Sequence, residues 1–120
     1  MRDNYYLQIS CDHLSLRHLE SGRHTELRAQ PGFSNQRLLV ANFSAASQAL
    51  KIALAELKPR RWLTLPASLL IQPLERIEGG LSEIEERCLL ELGVSSGMRR
   101  VTLHIGERLD DGAARARLRS

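Results

Sequence analysis

The sequence predicts an α/β fold: two layers in the order β-β-β-α-β-α-β, with a mixed five-stranded sheet of order 3-2-1-4-5 and both helices on one face. Three observations predict it. Three alternating segments follow one another across turns too short for a crossover, so they pair antiparallel. Two segments of helical period then alternate with two further strands, and right-handed crossovers make each later strand parallel to its neighbour. Each strand also has one apolar and one polar side, so one face of the sheet is dry and the other wet.

The first strand is read at Tyr5-Tyr6-Leu7-Gln8-Ile9-Ser10, with Tyr5, Leu7 and Ile9 on its dry side. Cys11-Asp12 turns the chain into His13–Leu19, where Leu14 and Leu16 point inward. Glu20–Arg23 is the next turn, and Thr25–Ala29 is a third short strand. Gln30–Asn35 is a loop by its proline and glycine, and Arg37–Ala41 is a short apolar run. Asn42 or Ser44 caps a helix in which Phe43, Ala46, Leu50, Ala53, Leu54 and Leu57 recur at spacings of three and four. Pro59 closes it, because the residue before proline avoids helical geometry. Leu69 and Ile71 lie in the fourth strand, which Pro73 ends.

Ser82 and Glu85 form a capping box for the second helix. Glu83, Glu85 and Glu86 place negative charge at the positive end of its dipole. Leu81, Ile84, Cys88, Leu89, Leu92 and Ser95 share the inner arc, and Gly97 stops the helix. Val101, Leu103 and Ile105 then alternate with Arg100, Thr102 and His104 in a fifth strand. Residues 1–106 read as one domain and residues 107–120 as a polar, basic tail with one helical turn at Ala113–Ala116.

A chain of 120 residues supports one modest core. No apolar run reaches the length of a membrane span, and Met1-Arg2-Asp3-Asn4 opens no signal-peptide core, so no membrane is expected. Cys11 and Cys88 are far apart with no metal-ligand spacing around them, which predicts reduced thiols and a cytoplasmic setting. The net charge of +3 invites nucleic acid, but aromatics make up only 4% and no recognised binding motif is present. Nucleic acid is therefore not expected. The basic residues Lys58, Arg60, Arg61, Arg115, Arg117 and Arg119 read as solvated loop and frayed tail.

No catalytic, cofactor-binding or metal-binding set emerges. Asp12 and His13 are adjacent on the strand and point to opposite faces. His13, His18, His24 and Cys11 group around a hairpin without a metal-ligand pattern. Only Asp12 and Glu26 bring carboxylates to the first three strands, too few to hold the two metal ions of a nuclease.

The element order resembles the ribonuclease H-like fold of the actin-like ATPases. Val40-Ala41-Asn42-Phe43 is similar to the segment entering the first helix of the bacterial rod-shape (MreB) family. Gly79, Ser82, Glu85, Arg87, Glu91, Gly97, Arg99 and Val101 are similar to its later helix and strand. Phe33–Leu39 with Ala41-Asn42-Phe43, then Glu78–Ser82 and Glu85-Glu86-Arg87, more closely resemble the YjaA-like family of small uncharacterised bacterial proteins, over most of the chain up to about Gly97. The actin-like resemblance implies one lobe of a fold whose nucleotide lies between two. It also implies a glycine-rich phosphate turn in the first hairpin. This chain has Ser10-Cys11-Asp12-His13-Leu14 there, with no glycine, and Glu85 falls where that family's water-orienting glutamate lies.

The expectation is therefore a non-enzymatic module that binds another protein. The alternative is a nucleotide-dependent or nucleic-acid-processing protein of the ribonuclease H-like fold. Leu90 and Val94 lie on the outer side of the second helix, one turn apart, and form the candidate partner surface. Neighbouring helices on such a sheet usually touch, so the pair is expected to pack against the first helix in preference, and to form the partner surface if it faces water.

Overall fold

The structure, a computed structural model, describes residues 3–29, 32–34, 39–57, 67–75 and 80–119. Its elements are β1 (Asp3–Ser10), β2 (His13–His18), β3 (His24–Arg28), α1 (Phe43–Leu57), β4 (Ala67–Pro73), α2 (Glu83–Ser95), β5 (Arg100–Leu103) and α3 (Asp111–Arg119). The sheet has the expected order β3-β2-β1-β4-β5. β1 pairs antiparallel with β2 and parallel with β4. β2 and β3 are antiparallel, and β4 and β5 are parallel. Lys58–Arg61, Pro59, the Arg37-Leu38 pair and Gly79 lie outside the described residues.

The dry face is as the alternation requires. Leu7, Ile9, Leu14, Leu16, Leu69 and Ile71 are fully buried beneath Ala46, Leu50 and Ala53 of α1 and Leu89 and Leu92 of α2. Phe33, from the loop before α1, adds the largest fully buried side chain among the described residues. Asn42 is the cap of α1: its side-chain oxygen accepts from the Ala45 N–H at 3.0 Å. The capping box of α2 is complete, with Glu85 N–H donating to Ser82 Oγ at 3.1 Å and Ser82 N–H donating to Glu85 Oε1 at 3.0 Å. Gly97, at φ +96°, ends α2, and Met98 N–H returns to the Gly93 carbonyl at 3.3 Å.

α2 meets the sheet through Gly93. A Cβ at that position would stand 2.6 Å from Val101 Cγ2 and 3.3 Å from Leu69 Cδ2. This close approach rotates the helix from its expected inner arc. Leu89, Leu92 and Gly93 are buried, whereas Ile84 is 82% exposed and Ser95 is exposed. Phe43, at the first turn of α1, and Ile105, beyond the end of β5, are exposed as well.

The second face of the sheet departs from expectation. In place of the expected polar tail, Asp111–Arg119 is a helix, started by Asp110, whose carboxylate accepts from the Ala113 N–H at 2.8 Å. Ala114 and Leu118, one turn apart, pack with Leu109 on Tyr6, Leu19 and Leu70. Helices thus cover both faces, α1 and α2 on one and α3 on the other, and Ser68 and Gln72 of the expected wet face are buried. Two arginines read as frayed tail bind main-chain carbonyls: Arg115 Nη2 donates to Leu19 at 2.7 Å and Arg117 Nη2 to Leu103 at 2.9 Å. β5 is an edge of the sheet, and the guanidinium of Arg117 meets the Leu103 carbonyl there.

Candidate functional site

The outer flank of α2 carries two neighbouring apolar side chains that the described fold leaves uncovered, apart from the exposed Ile84. Leu90 is 37% and Val94 55% exposed, so neither is core against α1. The contact between the two helices runs instead through Ser47 and Ser95, whose hydroxyls stand 3.5 Å apart. Leu90 lies roughly 140° around the helix from Ser95, at about 100° per residue. The pair therefore points away from α1. Glu83, Arg87, Leu90 and Val94 follow one line along the helix, with Glu86 and Glu91 beside it. Three carboxylates and one guanidinium border the apolar pair, so its rim is acidic.

On the side of α2 facing the segment before α1 is a small apolar cleft of about 110 Å³, lined by Leu39, Val40, Leu81, Ile84, Cys88 and Leu89. Burial pushes the Cys88 thiol up from its ordinary value, which keeps it protonated and a poor nucleophile. Neither Cys11 nor Cys88 is joined in a disulfide.

The first hairpin, where the actin-like resemblance implies a phosphate turn, is closed by the chain itself. Cys11 N–H donates to Glu75 Oε2 at 2.6 Å, and Asp12 N–H donates to Ser34 Oγ at 3.0 Å. Asp12 adopts φ +53° and accepts the Ser34 N–H on Oδ1 at 2.6 Å. The amides that would face an incoming phosphate already have acceptors, one of them a carboxylate. A phosphate would have to displace Glu75 or meet its charge.

Asp3 opens β1 two residues before the expected strand, and with it a carboxylate the sequence reading did not place there. Asp3, His18 and Glu20 bring potential ligand atoms within 4.8 Å of one another. Each is already engaged. His18 Nε2 lies 2.9 Å from Asp3 Oδ1, and its Nδ1 lies 2.8 Å from Ser21 Oγ. Glu20 accepts the Asn4 main-chain N–H at 2.8 Å and the Asn4 side-chain amide at 2.7 Å. Arg115 Nε stands 3.9 Å from Glu20 Oε2, a cation where a metal would need none. These bonds clip the start of β1 to the turn after β2. On the α3 side, Tyr6 donates to Gln72 and accepts the Leu109 N–H at 3.1 Å, while Gln72 Nε2 donates to the Gly106 carbonyl at 2.8 Å. This network anchors the segment leading into α3.

No family model matches the chain. It is 44% identical over 92 residues to "Uncharacterized protein YjaA" of Escherichia coli (strain K12), an alignment covering 72% of this chain and 71% of that protein.

Proposed function

The chain belongs to the YjaA family, and we propose that it works as a non-enzymatic protein-interaction module through the outer flank of α2. One observation carries the reading: Leu90 and Val94 stay exposed on a helix whose inner side is already filled by Leu89, Leu92 and Gly93. The acidic rim of Glu83, Glu86 and Glu91 selects a partner with an apolar contact patch and basic residues around it. The described polar clusters serve structure: Glu85 caps α2, His18 clips β1, and Gln72 holds the approach to α3.

We read the fold as a degenerate lobe of the ribonuclease H-like, actin-like kind. The strand order, with three antiparallel strands followed by two parallel ones, supports that reading. Degeneracy rests on the hairpin amides, which Glu75 and Ser34 occupy. The proposed setting is the cytoplasm, in keeping with two cysteines that form no disulfide. Among the described residues no helix is long and apolar enough to cross a membrane.

A photo-cross-linking residue at position 90 tests the surface. The covalently captured protein is identified by mass and its binding reconstituted from purified components. Leu90→Gln with Val94→Thr is expected to weaken that binding by about tenfold or more while the chain stays folded. Undiminished binding by the folded double variant would overturn the assignment.

A further inference from the structure

We propose that two copies of the chain join through β3, edge to edge and antiparallel, into one continuous sheet. This goes beyond the α2 surface and uses the opposite edge of the sheet, where β3 is the outermost strand. The hydrogen bonds fix which groups of β3 point outward. His18 N–H donates to the Arg23 carbonyl at 2.8 Å and Ala29 N–H to the Asp12 carbonyl at 2.8 Å. Odd-numbered residues from 23 to 29 therefore bond β2, and His24, Glu26 and Arg28 turn their main-chain groups away from it.

In an antiparallel pair with its two-fold axis through Leu27, Glu26 lies opposite Arg28 of the second copy, and Arg28 opposite its Glu26. The hydrogen-bonding positions and the opposite charges then coincide, twice over. Moving the axis to Glu26 sets the two carboxylates against each other. Short, charged edges commonly keep sheets apart. Here the charges alternate in sign at a spacing that matches a second copy of the same strand. At the other edge, β5 carries no carboxylate between Arg100 and Leu103.

The layer above fits the same pairing. α1 packs across both β2 and β3. Strands about 4.8 Å apart place helices seated between β2 and β3 near the ordinary helix-packing separation of about 8–10 Å. An open groove of about 550 Å³ runs between β3 and α1, lined by Leu27, Ala29, Ala45, Gln48 and Ile52. Ile52, 45% exposed, faces outward on that flank and would be covered by the second copy.

Sedimentation velocity across about 1 μM to 1 mM tests this, because a short edge interface lies in that affinity range. The wild-type chain is expected to dimerise. Glu26→Arg and Arg28→Glu, made separately, should each weaken the dimer by about tenfold or more, while an equimolar mixture of the two associates again. That recovery excludes misfolding as the cause of the loss. Leu90→Gln with Val94→Thr should leave the dimer intact. A monomeric wild-type chain, single variants that dimerise like wild type, a mixture that stays monomeric, or loss of the dimer in the α2 variant would each overturn the proposal.

Discussion

Leu90 and Leu92 stand two residues apart on α2 and have opposite environments: Leu92 is fully buried and Leu90 faces outward. Leu92→Ala is therefore expected to cost about 2–5 kcal/mol, as large-to-small changes in a filled core do. Leu90→Ala should cost less than about 1 kcal/mol, the range of surface substitutions. Urea unfolding of the two variants checks both, and equal losses would place Leu90 in the core. The caps of α2 were legible because they are local. Ser82, Glu85 and Gly97 act within one turn of themselves, so their spacing suffices. The inner arc was less legible. Periodicity counts apolar side chains, and the residue that sets the helix against β5 is Gly93, which has none. The apolar spacing consequently points Ile84 inward, whereas it lies outside.

α3 shows the same limit at the level of elements. Its apolar content is Ala114 and Leu118 among Arg115, Arg117 and Arg119, a pattern that reads as tail unless the covered surface is known. The sign of that surface was in the strands: Tyr6 and Leu70 occupy positions of the otherwise polar face, and they are what α3 covers. Leu118→Ala is expected to lower stability by about 2 kcal/mol or more, measured by chemical unfolding. A frayed tail would show no change. The strands themselves are legible, since Leu7, Ile9, Leu14, Leu16, Leu69 and Ile71 alternate cleanly into one core. The start of β1 is not, because Asp3 joins the ladder by main-chain pairing with Ala67, which no side-chain pattern reports.

At the scale of the molecule, the strand order followed from connection lengths and crossover handedness, both of which survive errors at single residues. The α3 layer, by contrast, depends on a few apolar contacts and could only be placed with the sheet in view. The hairpin belongs to this scale too, because Glu75 follows β4 and Ser34 precedes α1, and both converge on Cys11-Asp12. Their convergence is the feature on which the proposed interaction module and the nucleotide-dependent alternative differ. A titration with ATP and Mg²⁺ followed by amide chemical shifts measures that difference directly. The expected result is no saturable shift at Ser10, Cys11, Asp12, His13 or Leu14 up to about 1 mM nucleotide, since binding there must first displace existing hydrogen bonds. Saturable shifts centred on those residues at micromolar nucleotide would contradict it and restore the phosphate site to the first hairpin.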